Sequence, residues 1–242
     1  MTQMQARSLA APGRIAIPRE AAGGIPVLDG SPYGTHVADA MCDPATGVRF
    51  GGLFAPLAVA QAGLTLAQTF LAVSKGGIVV GHEGVETVVG PGAAVHCAPS
   101  LDLTIRYAAG TEILVGSCEI PREAGQAGVV FIDSALPYER LTPTPKEMLV
   151  EGEPPEQRGR TPVAVGRHWR ISVWSSTSYH RKTIAFPKHE AMLLLEGGAE
   201  LTPSAGDPFG FGAGDMVHVP GGWVADWHTR DTIRKVSCTY NL

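Results

Sequence analysis

Charge is scarce in this chain. Only 17% of its 242 residues are Asp, Glu, Lys or Arg, and 19 basic residues against 23 acidic ones leave a formal net charge of −4. The basic footprint of a nucleic-acid binder is therefore missing. Disorder is excluded as well, because 44% of the residues are apolar and so weakly charged a chain can bury a sizeable core. Paired cysteines are equally lacking. Cys42, Cys97, Cys118 and Cys238 form no Cys-x-x-Cys motif and no zinc-like spacing with histidine, so free thiols in a cytoplasmic protein are expected. His96 and Cys97 are not a thiolate–imidazole pair on this reading, since neighbours on a strand point to opposite faces.

Other signals are missing too. The start, Met1 to Arg7, lacks the apolar run of a secretory signal, and Pro12-Gly13-Arg14 interrupts it. The 25 residues from Phe50 to Ser74 carry no charge, but Pro56, Gln61, Gln68 and scattered glycines make them buried strands rather than a membrane helix. No apolar stripe of helical period persists; Pro143 to Val150 is the only modest helix candidate. Gly210-Phe211-Gly212-Ala213-Gly214 lacks dinucleotide-loop spacing, and neither a Gly-x-Ser-x-Gly elbow nor a Walker loop occurs.

What the chain has in quantity is turn residues, 30 glycines and 19 prolines, arranged twice over. Ile17-Pro18-Arg19-Glu20-Ala21 recurs as Ile120-Pro121-Arg122-Glu123-Ala124, and Asp29 and Pro32-Tyr33 recur as Asp133 and Pro137-Tyr138. Further on, Gly76-Gly77 matches Gly197-Gly198, Gly92 to His96 matches Gly214 to His218, and Ser117-Cys118 matches Ser237-Cys238. The second set has the larger offset, so the second half holds an insertion, which fits the proline-rich run Leu141 to Thr161. Short β-branched and apolar runs such as Arg170–Trp174, Ala191–Leu195, Met216–Val219 and Arg234–Tyr240 alternate with turns, which predicts an all-β sandwich or barrel in each half.

The second half resembles a cupin, of the subfamily that includes ureidoglycine aminohydrolase-like and ethanolamine-utilisation cupins. The resemblance rests on Trp174, on Glu190 separated by six residues from Gly197, and on Gly214 separated by five residues from Pro220-Gly221-Gly222-Trp223; it runs on through Trp227 to Arg234-Lys235. It covers about residues 168–240 well and, through the repeat, reaches 48–118 weakly. The resemblance implies a tandem cupin (bicupin): two jelly-roll β-barrels related by internal duplication. Residues 1–118 are then a degenerate N-terminal cupin with its leader, 119–165 a second leader and proline-rich connector, and 166–242 the C-terminal cupin.

Metal-dependent cupins present two histidines, the glutamate and a further histidine to a divalent ion. Here the first slots, Thr183 to Phe186, hold no histidine, the last is Ala225, and only Glu190 remains. In the first half Gln68 or Thr69 replaces the glutamate and Ala98-Pro99-Ser100 replaces the Pro-x-Gly turn. No metal and no other cofactor is expected, although His180, His189, Glu190 and His228 could form an unconventional set. His96 and His218, at equivalent places opposite the valine faces of their strands, are read as packing between the two domains or at a subunit contact, with ligand contact as the alternative. Basic residues cluster at Arg167 and Arg170 and at Arg181-Lys182 and Lys188, a patch that is either a solvated rim or an anion-facing surface.

The leading expectation is a cupin that binds a small polar metabolite in the second barrel, with Glu190, Met192, Trp223 and Trp227 as ligand-binding residues and the first barrel structural. One alternative is a metal-dependent enzyme acting on a small nitrogenous acid, as the resemblance to ureidoglycine aminohydrolase suggests. Another is a metal-free isomerase or epimerase with Glu190 as base and Tyr179 or a histidine as acid. Nucleic-acid and membrane partners are not expected, and self-association as a homodimer through a sheet edge or face is.

Overall fold

The computed structural model describes residues 13–14, 37–43, 47–55, 58–65, 67–119, 128–135, 138–204 and 207–242. In the first part the strands are β1 Gly13–Arg14, β2 Val37–Asp43, β3 Val48–Ala55, β4 Val59–Leu64, β5 Gln68–Lys75, β6 Ile78–His82, β7 Val85–Val89, β8 Ala94–Cys97, β9 Asp102–Tyr107, β10 Thr111–Cys118 and β11 Val129–Ile132. In the second they are β12 Glu139–Arg140, β13 Leu149–Glu151, β14 Gln157–Val165, β15 Trp169–Ser176, β16 Tyr179–Ala185, β17 Lys188–Glu196, β18 Gly198–Leu201, β19 Phe209–Gly212, β20 Met216–Val219, β21 Val224–Thr229 and β22 Ile233–Asn241. Among the described residues no helix is long and apolar enough to cross a membrane.

The duplication is written in the sheet order. One barrel joins β8-β5-β10-β3-β2 to a second sheet β4-β9-β6-β7, and the other joins β20-β17-β22-β15-β14 to β16-β21-β18-β19. All the pairings are antiparallel, as period-2 apolar alternation and tight glycine turns require. Each half even carries a bulge at the same point, where β10 shifts against β5 at Glu112/Ile113 and β22 shifts against β17 opposite Leu194/Glu196. This shared bulge corrects one sequence match. It sets Ile113 against Lys235, so Ser117 corresponds to Thr239, and the apparent Ser117-Cys118/Ser237-Cys238 repeat lies two residues out of register.

The large sheets of the two barrels face each other. Phe50, Phe70 and Leu114 from one and Trp169, Ile171, Leu193 and Val236 from the other form a shared core, with the Phe50 and Trp169 rings 6.3 Å apart and nearly parallel. His96 and His218 lie in this layer. His96 Nε2 is 3.0 Å from Gln68 Oε1, and the His218 ring packs on Phe50 and on His189. Their domain-packing role is thus the one seen. Burial pushes the His96 imidazole down to about 4 and His218 to about 3, the latter also opposed by His189. Cys97 faces the other way, into the apolar interior of the first barrel, where burial raises its thiol to about 12.

Two expectations about the connecting segments change. The helix candidate at Pro143 to Val150 is a single 3-10 turn at Lys146–Met148 followed by β13. The run Leu141 to Thr161 is largely exposed, but its last residues, Gln157 to Thr161, begin β14 of the large sheet. The repeat assigns each barrel a leader of its own, Ile17 to Tyr33 and Ile120 to Tyr138. Ile17 to Tyr33 and Ile120 to Ala127 lie outside the described residues, while Val129–Ile132 of the second leader adds to β8, the edge of the first barrel. The matching edge, β20, is covered by Gly13–Arg14.

Glycine is required where the chain turns with positive φ. Gly197 has φ 66°, and a Cβ there would meet the Thr232 carbonyl oxygen at 2.1 Å. Gly222 closes the Pro-x-Gly turn at φ 81°; its counterpart in the first barrel is Ser100, held at φ 62°.

Candidate functional site

The two barrel interiors differ sharply. The first is filled by Leu53, Leu71, Ile105, Ile113 and Val115 with other apolar side chains. At the matching places the second carries Trp174, Met192, Trp227, Lys235 and Ser237, and Glu190 stands where the first has Thr69. Because side chains alternate along a strand, Glu190, Met192 and Leu194 point inward while Ala191 and Leu193 join the inter-barrel layer.

Around these residues lies an open cavity of about 850 Å³. Glu190 is 6% and Lys235 7% exposed, and Lys235 Nζ donates to Glu190 Oε1 at 3.0 Å. The ammonium sits 5.0 Å from the ring centres of both Trp174 and Trp227 and 3.8 Å from Met192 Sδ. Burial by itself would raise the Glu190 carboxyl, but Lys188 and Lys235, with hydrogen bonds from Lys235 and Ser237, hold it down at about 2. Burial pushes the Lys235 ammonium down against the opposing pull of Glu190. A buried carboxylate is tolerated here because it is paired.

The expected ligand-binding residues are only partly brought together. Glu190 and Trp227 line the cavity. Met192 is fully buried beneath Lys235 and is not part of the lining. Trp223 lies at the turn, its ring 6.2 Å from that of Phe186, also outside the lining. Tyr179, Arg181, Lys188 and Lys235 are among the polar residues of the wall, which also includes Glu139, Gln157 and Arg160. Burial pushes the Tyr179 phenol up and the Arg181 guanidinium down. Lys235 was visible as a cation at an inward position flanked by Ile233 and Ser237, a break in the alternation that marks an interior charge.

The donors of the unconventional metal set point in different directions. Glu190 faces inward, His189 packs on His218 between the barrels, and His180 stacks on His228 at 4.5 Å while bonded to Asp226 at 2.8 Å. His180 and His228 alternate with Arg181 and Trp227, so they occupy the outer face. Among the described residues no group of three or more His, Cys, Asp or Glu side chains is placed to hold a metal ion. The cavity wall offers imidazole nowhere, and its one buried carboxylate is committed to Lys235, so these residues do not fit a first-row metal.

Sheet order, paired barrels and a strand-lined interior define the class: the chain has a two-domain cupin fold. The match to the EutQ-like cupin domain covers residues 171–236. The fold is shared with a protein of unknown function of the DUF861 family from Pseudomonas syringae pv. tomato str. DC3000, 19% identical with a TM-score of 0.79 over 95% of this chain and 99% of that one. It is also similar to a cupin 2 conserved barrel domain protein from Leptotrichia buccalis, at 9% identity and TM-score 0.61 over 85% and 88% of the two chains. Salicylate 1,2-dioxygenase from Pseudoaminobacter salicylatoxidans superposes at 10% identity and TM-score 0.56, over 85% and 77%. No curated protein sequence matches the chain. At these identities the likeness establishes the fold, and function has to be argued from the site.

Proposed function

We propose that this protein binds a small polar metabolite inside its C-terminal barrel, without a metal ion, while the N-terminal barrel serves as structural support. The observation that carries this reading is the contrast between duplicated interiors. Where the first barrel has Thr69, Ile113, Leu53 and Ile105, the second has Glu190, Lys235, Trp174 and Trp227 around open space. A buried ion pair contributes little to stability against well-packed apolar residues, so its presence on one side of a duplication favours a binding role.

The same geometry argues against proton abstraction by Glu190. Tyr179 shares the cavity with it, as the isomerase reading requires, but a carboxyl held at about 2 by two lysines is a weak base. Glu190 instead fixes Lys235 between the tryptophans.

Trp174 and Trp227 supply the test, because a ligand entering beside them alters their emission. A panel of hydroxy acids, amino acids, their amides and monosaccharides is titrated against the protein and against Glu190→Gln. At least one compound is expected to change the fluorescence saturably, with an affinity that shifts about tenfold in the variant. A panel that leaves the emission untouched, or an affinity identical in the variant, contradicts the proposal.

A further inference from the structure

Two lining residues of this cavity carry buried donors without a partner among the described residues, Trp227 through its indole Nε1 and Arg181, the charged one, through two atoms. The Arg181 Nε and Nη2 atoms are shut off from water and have no hydrogen-bond partner among the described residues, while the guanidinium lies 5.0 Å from the centre of the Phe186 ring. Leaving buried donors unpaired is costly, and native structures seldom keep such groups without a reason. Nε and Nη2 form one edge of the guanidinium fork, the edge whose two parallel N–H bonds match a carboxylate.

The backbone beneath Arg181 is also special. Pairing between β16 and β21 slips between Arg181 and Ile184, whereas the matching strands β4 and β9 pair without interruption from Val59–Tyr107 to Leu64–Asp102. In that register Arg181 takes the place of Gln61. The bulge follows Arg181 directly and occurs in only one copy of the duplication.

Charge around the site agrees. Lys235 is matched by Glu190, and Lys188 lies 4.0 Å from the same carboxylate, so two lysines share one acid, and among the described residues no carboxylate is bonded to Arg181. The interior is left with uncompensated positive charge, which a bound anion would neutralise.

We infer that the metabolite is a small carboxylate, anchored by a two-point bond from the Nε–Nη2 edge of Arg181, with Lys188 and Lys235 supporting its charge and Trp174 and Trp227 flanking its body. This rests on the proposed ligand role of the C-terminal barrel and adds the chemical class and the anchoring residue. Protein atoms cover this edge, so binding requires the guanidinium to turn and present it to the cavity, where a carboxylate satisfies donors that are otherwise unpaired.

The test compares lactate with lactamide, two probes of nearly equal shape that differ in charge, by saturation-transfer NMR on the full chain. Lactate is expected to bind and lactamide to bind at least about tenfold more weakly. Arg181→Met should remove most of the lactate signal, and Arg181→Lys, which keeps the charge but loses the fork, should recover only part of it. Circular dichroism of each variant confirms that the barrel still folds. Equal binding of the two probes, or lactate binding unchanged in Arg181→Met, overturns the carboxylate inference and leaves the cavity as a site for neutral polar ligands. If neither probe binds while a neutral member of the fluorescence panel does, the inference fails alone. If neither probe binds and the whole panel is silent, the binding role fails with it.

Discussion

Lys235 and Glu190, on neighbouring strands, form a 3.0 Å ion pair at interior positions that the duplicated barrel fills with Ile113 and Thr69. The pair is nearly inaccessible to water, so removing one partner strands the other. Lys235→Met is therefore expected to destabilise the protein by about 3–5 kcal/mol. Glu190→Leu combined with Lys235→Met should return to within about 1–2 kcal/mol of the wild type, since the first barrel shows that this layer packs well without charge. Urea unfolding of the single and double variants measures both. Additive losses would show that the pair is a net source of stability and weaken the case that it is kept for binding.

Arg181 makes the complementary prediction. With no ligand present, Arg181→Met should leave stability unchanged or raise it by up to about 1 kcal/mol, because it removes buried donors that have no acceptor. A loss of several kcal/mol would mean that the guanidinium is a structural element of the barrel.

Ser100 is strained where Gly222 is not. Both close equivalent turns, seen in matching bonds from Ser100 N to Thr65 O and from Gly222 N to Phe186 O, and both have φ in the left-handed region. Ser100→Gly should stabilise the protein by about 0.5–1 kcal/mol, the relief of left-handed strain less the added freedom of glycine in the unfolded chain. A thermal melt showing a lowered midpoint would contradict this.

Acid should weaken the protein through its inter-barrel layer. His96 and His218 are held neutral, with folded values of about 4 and 3 against an ordinary value of 6.5, so the unfolded chain takes up protons first as pH falls. Their contribution is complete above pH 6.5 and is lost progressively below it, by up to about 1.4 kcal/mol per pH unit for each histidine until the folded form also protonates. The Glu190 carboxyl, held at about 2 against 4.5, adds a loss of the same sign below about pH 4.5. Replacing His96 and His218 with Gln should flatten the fall between pH 6.5 and 4. Unchanged pH dependence in that double variant would refute the assignment.

Much of the fold was legible because duplication repeats its punctuation. Gly76-Gly77 with Gly197-Gly198, and His96 with His218, place the same turns and the same inter-barrel layer in each half. The Ser-Cys match misled because a bulge shifts strand pairing without leaving a mark in the spacing of short motifs. In the cavity lining, Glu190 and Trp227 were reached through the resemblance, and strand phase turns both inward, whereas Trp223, at a turn, has no fixed face to read. Arg181 read as one cation of a patch that was either a solvated rim or anion-facing; its pairing with Trp227, which repeats that of Gln61 with Ile105, puts it at a cavity-wall position.

The most direct measurement is a crystal structure of the protein soaked with lactate. The account predicts new density inside the C-terminal barrel, with a carboxylate within hydrogen-bond reach of Arg181 and its body beside Trp174 and Trp227, and none inside the N-terminal barrel. Density in the N-terminal barrel, or a C-terminal barrel that stays empty while Arg181 keeps its unpaired donors, would contradict it.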